Sequence, residues 1–234
     1  MSWVLANLPT IAGHLLAHLL QAVPAIIASF VLAIPIARLA RVARPLRAVL
    51  VTGSSLLYAV PSLALFVILP IILATGIRDP LNVIVALTLY GLALLVPATA
   101  DALDAVDARV LDAATAMGMG RLRCFLTVEL PLAGPAILTG LRVVTVSTIS
   151  LTTVGAVLGV RSLGWLFTDG FQRGITAEIV TGLVATAALA LVLDGLVLAL
   201  GRLCLPWTWK RAGTSGAAVA GAGIATSGSQ EEQA

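Results

Sequence analysis

Five apolar stretches, each long enough to cross a bilayer, constrain this chain more than anything else in it. They lie at about residues 15–37, 49–75, 81–103, 132–158 and 179–200, and a helix needs roughly 20 apolar residues to span the hydrocarbon core. Backbone polar groups at that depth meet no water, so segments of this kind fold as helices. With 59% of its residues hydrophobic and 11% charged, and a mean hydropathy of +1.07, the chain lies far from a soluble domain. The predicted class is an all-α membrane protein of about five transmembrane helices. Six is the alternative count, because Pro61 and Pro70 interrupt the second stretch and each removes a backbone donor.

The arginines set the expected orientation. With five helices and the N-terminus outside, the inner loops collect Arg38, Arg41, Arg44, Arg47, Arg109, Arg121, Arg123, Arg202, Lys210 and Arg211, leaving Arg78, Arg161 and Arg173 outside. That asymmetry follows the positive-inside rule and predicts N-terminus out and C-terminus in. The opening MSWVLANLPTIAGH has no basic n-region, so no cleaved signal is expected. Residues 1–14 read as an extracytoplasmic segment and 15–205 as the membrane domain. The tail 206–234, largely Gly, Ala and Ser, reads as cytoplasmic and disordered.

The chain carries no visible energy source. Its only lysine, Lys210, stands in WTWKR, so no phosphate-binding loop of the form GxxxxGK[ST] exists. Asp194 is the one acid well inside a helix, which is sparse for ion or proton coupling. Uphill transport therefore needs energy from a partner. Cys124 and Cys204 alone make no metal site, and no feature points to nucleic acid.

One polar segment breaks the oil. Residues 101–130 are Ala-rich, too polar to span and too regular for a plain linker. Asp107 is placed to cap ARVLDAATAM, Gly118 and Gly120 to end or bend that helix, and Val110, Ala113, Ala114 and Met117 recur at helical spacing. Such a small apolar face suits a groove on another protein, and an interfacial helix on the bilayer is the alternative.

The stretch DAATAMGMGRLRCFLTVELP resembles the EAA loop of ABC importer permeases, in which EAA is followed after three residues by Gly and after nine more by I-x-L-P. Asp112, Ala113 and Ala114 stand at the EAA positions, Gly118 follows at the required spacing, and Val128, Leu130 and Pro131 close it. Asp for Glu and Val for Ile are the departures. The resemblance implies a type I importer permease fold whose segment 107–131 forms the coupling loop, with Asp112, Ala113, Ala114, Gly118, Leu130 and Pro131 as coupling residues and a helix restarting at the proline. It also implies partners: two cytoplasmic ABC ATPases, a second permease copy or a paralogous permease, and an extracytoplasmic solute-binding protein. The chain itself would then be no enzyme and hold no cofactor, since ATP and Mg sit on the ATPase.

Three further stretches, YAVPSLALFVILP, MGMGRLRCFLTVELPLAGPAILTGLR and VLGVRSLGWLFTDGFQRG, are similar to permeases for glycine betaine, choline, carnitine and proline. Pro97, Ala98 and Thr99 depart, standing where that family carries a basic residue and an amide. The implied solute is an osmoprotectant; an amino acid or a betaine-like thiol compound is the alternative. A channel leaves the EAA pattern unexplained, and an intramembrane hydrolase built on Ser54, Ser55, His14 and His18 lacks a Glu and a third ligand.

Candidates for a solute path come from hydroxyls and aromatics. Thr145, Thr148 and Thr152 share one helical face in TVSTISLTT; they either line a polar path or bond to their own helix carbonyls. Tyr58, Ser62 and Tyr90 are further candidates, the tyrosines through cation–π attraction or as interfacial anchors. The loop from Arg161 to Glu178, with Trp165, Phe167 and Phe171, reads as a gate, a docking surface or a re-entrant segment. GAVLG reads as close helix packing, Arg142 as a snorkelling side chain, and Asp194 as its partner or that of another helix.

Overall fold

The computed structural model of the chain describes residues 2–42 and 44–206. The predicted tail, with Lys210 and Arg211, lies outside the described residues. Every regular element among them is helical: α1 (Ser2–Ala6), α2 (Leu8–Val42), α3 (Arg44–Ala59), α4 (Ser62–Leu73), α5 (Pro80–Asp104), α6 (Ala108–Ala116), α7 (Arg121–Cys124), α8 (Leu130–Thr152), α9 (Trp165–Arg173) and α10 (Thr176–Cys204). A π-turn at Phe125–Glu129 joins α7 to α8, and a 3₁₀ segment at Thr153–Leu158 follows α8.

Among the described residues four continuous spans emerge, Leu8–Arg41, Pro80–Asp104, Arg121–Leu158 and Thr176–Cys204. The second apolar stretch is neither one straight helix nor two spans. It is a bent pair, α3 and α4, turned by 108° between Ala59 and Ser62, and counted as one broken span it brings the total to the five expected. Pro61 explains the break: it lacks a backbone donor and disfavours helical geometry at Val60. Pro70, by contrast, stays inside α4. The sixteen residues of α3 and twelve of α4 reach only about 24 and 18 Å, so neither crosses the core alone. The first span also starts earlier than position 15, and His14 lies buried within it.

Helix α5 is central, packing on α2, α3, α4 and α8. Its entry is fixed by Asp79, whose carboxylate accepts the Leu81 N–H at 2.9 Å, and by Pro80 in the first turn. Asn82 donates to the Gly76 carbonyl (2.8 Å), and the Thr75 hydroxyl donates to Asn82 Oδ1 (2.5 Å), closing the turn from α4. Helix α10 lies at the edge, against α8 and α9. GAVLG proves to be the 3₁₀ segment and its cap: Gly155 packs on Val83, and Gly159 ends it at φ +80° beneath Arg78.

The loop after it is tied down by buried polar groups. His14 stacks on Trp165 with ring centroids 4.6 Å apart, Gln21 donates to the Arg161 carbonyl at 2.7 Å, and the Leu163 N–H donates to His18 Nδ1 at 3.4 Å. The two histidines thus anchor a loop. Of the serines in the rival hydrolase reading, Ser55 bonds the Val51 carbonyl of its own helix. Phe171 remains 80% exposed on α9.

Candidate functional site

The polar segment between α5 and α8 folds as its motif requires, from the cap upward. Asp107 adopts extended backbone and accepts the Arg109 N–H at 2.9 Å, starting α6. Its carboxylate also receives the Arg109 guanidinium at 2.8 Å, and that guanidinium holds the carboxyl below the usual carboxylate range. Helix α6 is two and a half turns long and presents Val110, Ala113 and Met117 outward, with Val110 42% and Met117 72% exposed. Ala114, one position round, is buried. Asp112 is exposed.

Gly118 ends the helix in a Schellman motif. Its N–H reaches the Thr115 carbonyl (2.9 Å) and the Met119 N–H reaches back to Ala114 (3.2 Å). That geometry needs φ +82° at Gly118, a conformation costly for residues with a Cβ. Nothing lies within 4 Å of where a Cβ would stand, so the glycine serves backbone shape and leaves open space outside.

The chain re-enters a helix at Arg121, well before Pro131. The expected restart at the proline is a widening instead: the Leu130 N–H bonds five residues back to Phe125. Pro131 has no donor for the preceding turn and its ring crowds the carbonyl four residues earlier, which a π-turn relieves. Leu130 is the half-buried first residue of α8 and packs on a core built around Phe125 and Ala133.

Both ends of the segment are held by one arginine. Arg41 on α2 pairs with Asp104, the last residue of α5 (3.2 Å), and with Glu129, the last residue of the π-turn. Arg47 adds a second contact to Asp104 at 2.5 Å. Arg38 lies over the Phe125 ring, 4.0 Å from its centroid. A cavity of about 300 Å³ opens here, lined by Arg38, Arg41, Arg121 and Glu129 together with Thr115 and Met119. The motif contains no trace of this clamp, because Arg41 and Arg47 lie more than fifty residues upstream; only their positive-inside placement marked them.

The path candidates divide. Tyr58, Ser62 and Tyr90 meet at the bend between α3 and α4. Tyr90 is buried and donates its hydroxyl to the Val60 carbonyl at 2.6 Å, bracing the bend. Tyr58 stands edge-on to it, ring centroids 6.1 Å apart, and is 48% exposed. Ser62 opens α4 and is half-buried. The threonines are elsewhere: Thr145, Thr148 and Thr152 all lie on the buried face of α8. Thr145 bonds the Leu141 carbonyl (2.9 Å) and Thr152 the Thr148 carbonyl (2.7 Å). Arg142 does not snorkel alone; it pairs with Asp194.

The family model for the binding-protein-dependent transport system inner membrane component matches residues 29–209, from the middle of α2 past the end of α10. The chain belongs to this family. It is a multi-pass permease of the bacterial inner membrane, and membership implies, in general terms, an ATPase and a substrate-binding partner. Among relatives, a choline transport system permease protein of Bacillus subtilis (strain 168) is 29% identical over 197 residues, 84% of this chain and 86% of that one. An osmoprotectant import permease protein of Salmonella typhimurium is 32% identical over 148 residues, 62% of this chain and 68% of that one. An ergothioneine transport permease/ergothioneine binding protein of Helicobacter pylori is 33% identical over 151 residues; the match takes in 64% of this chain and only 27% of that longer protein.

Solved structures agree on the fold. The inward-facing MetNI methionine ABC transporter superposes with a TM-score of 0.73 at 20% identity, covering 83% of this permease and 95% of that chain. An amino acid ABC transporter solved with histidines gives 0.67 at 17% identity, covering 87% and 96%.

Proposed function

We propose that this permease is the membrane-spanning subunit of an ATP-driven importer for a small osmoprotectant of the glycine betaine, choline, carnitine and proline class. The observation that carries the reading is the coupling segment: a capped helix with an exposed apolar face, ended by a positive-φ glycine and clamped at both ends by Arg41. Asp112, Ala113, Ala114, Gly118, Leu130 and Pro131 are its coupling residues. Helix α6 seats in a cleft of an ABC ATPase, which binds ATP and Mg, and hydrolysis takes place there. The arginine-rich end faces the cytoplasm, with the N-terminus out and the C-terminus in. Two ATPases, a second permease copy or a paralogue, and an extracytoplasmic binding protein complete the assembly.

The solute class is supported by the names of the relatives and by the two tyrosines at the α3–α4 bend, where Tyr58 is exposed and Ser62 half-buried. Ergothioneine is the second reading, favoured by the Helicobacter relative. The test is ATP hydrolysis by the permease–ATPase complex in lipid nanodiscs with its binding protein. Stimulation by a quaternary ammonium osmoprotectant supports the first reading, stimulation by ergothioneine alone supports the second, and no response to either solute overturns both.

A further inference from the structure

Two opposite charges stand within the bilayer depth and are not sealed off. Arg142 on α8 donates Nε to Asp194 Oδ1 at 2.8 Å and Nη2 to Oδ2 at 2.6 Å, a fork joining α8 to α10. Asp194 lies ten residues before the end of the 29-residue α10 at Cys204, about 15 Å along the axis, hence inside the span on the C-terminal side of its centre. The arginine side chain keeps 39% and the aspartate 20% of its exposure. They open on a groove of about 430 Å³ shared with Thr139, Val143, Val146 and Ser147. The groove follows the outward stripe of α8, in which Thr139, Val143, Val146 and Ser150 are all exposed. Charges at this depth are expensive against lipid and are found facing protein or a water-filled cavity.

We infer that the Arg142–Asp194 groove is a solute subsite for a small zwitterion within the permease, an inference that rests on the osmoprotectant reading above. The chemistry of the fork supports it. Two of the five guanidinium N–H groups are used by Asp194, leaving Nη1 to donate to a carboxylate, while each Asp194 oxygen keeps acceptor capacity. A solute carrying a carboxylate at one end and a quaternary ammonium at the other lies antiparallel along the fork. Its carboxylate meets Arg142 and its cation meets Asp194, so the ion pair need not break and no charge is left alone. The open groove favours the weak, reversible binding that passage requires. A merely structural staple would be expected to be packed away, as Thr145, Thr148 and Thr152 are on the buried face of this helix.

The test compares ATP-driven uptake of glycine betaine, a zwitterion, with uptake of choline, a cation without a carboxylate, by the full complex in proteoliposomes. Arg142→Gln is expected to lower glycine betaine uptake at least about tenfold more than choline uptake, since only the zwitterion loses a partner. Asp194→Asn is expected to lower both. Val146→Trp fills the groove from an exposed position, leaves the pair intact and is expected to lower both. Equal losses for the two solutes in Arg142→Gln, or unchanged uptake in Val146→Trp, would overturn the subsite and leave the pair a staple; the tryptophan variant decides alone where Arg142→Gln does not assemble. Wild-type complex that imports neither solute would instead remove the osmoprotectant reading, and the subsite with it.

Discussion

The coupling segment and the threonine face of α8 are both polar interruptions of an apolar chain, yet they are built in opposite ways. Around Gly118 the side chains point outward and the backbone carries the shape: a capped start, a Schellman end and a clamp behind. Along Thr145, Thr148 and Thr152 the side chains point inward, and two of the three hydroxyls return to carbonyls of their own helix. Exposed polarity with a specified backbone calls for a partner. Buried polarity that satisfies itself calls for none, because a Ser or Thr bonded within its helix can pack like a small apolar residue.

That contrast is breakable by mutation. The largest effect is expected for Gly118→Arg, which forces a residue with a Cβ into φ +82° and puts a long charged side chain in the way of close approach to α6; ATP-driven uptake should fall by at least about tenfold, a typical span for lost coupling between sites. Intact uptake would remove Gly118 from the coupling role. Arg41→Ala comes next, since it frees both Asp104 and Glu129 at once. The cost should fall between the about 1 kcal/mol of an exposed pair and the about 3 kcal/mol of a buried one, read as lower thermal stability together with weaker stimulation of hydrolysis by solute. Met117→Glu places a charge on the docking face without touching the fold, so affinity for the ATPase should drop several-fold while permease stability holds.

Two smaller effects sharpen the comparison. Asp107 is held below the usual carboxylate range by Arg109. A depressed value in the folded state adds stability that is present above the unfolded value and is lost only as pH falls through the folded one. Amide protection at the start of α6 should therefore persist from neutral pH to about pH 5, and Asp107→Asn should flatten any loss below that. The smallest change is expected for Thr152→Val, which removes a hydroxyl that serves only its own helix; stability should move by no more than about 1 kcal/mol and uptake by less than about twofold. A larger fall in uptake would restore that threonine to the solute path.

The sequence was most legible where a residue type answers a single physical demand. Gly118 is readable because a positive φ at a helix end selects glycine, and Asp107 because a free first turn selects a short acceptor. Four of the five long apolar runs translate directly into continuous spans. Legibility failed where one residue type serves two ends. Threonines at membrane depth look alike whether they line a path or close on their own carbonyls, and a proline in an apolar run either breaks a helix, as Pro61 does, or is carried inside it, as Pro70 is. Pro131 widens its helix where a restart was expected. Long-range partners were hardest to read: the hold of Arg41 on Asp104 and Glu129, across 63 and 88 positions of sequence, left no signal, while the fork between Arg142 and Asp194, 52 positions apart, was one of two alternatives the sequence left open.

The most direct test of the account is whether an ATPase covers the outward face of α6. In a Cys204→Ser background, Met117→Cys would be labelled with a membrane-impermeant maleimide on the permease alone and on the assembled complex. The account predicts rapid labelling of the free permease and protection once the ATPase is bound. Labelling that is indifferent to the ATPase, or that occurs only with a lipid-soluble reagent, would contradict it and place α6 on the bilayer surface.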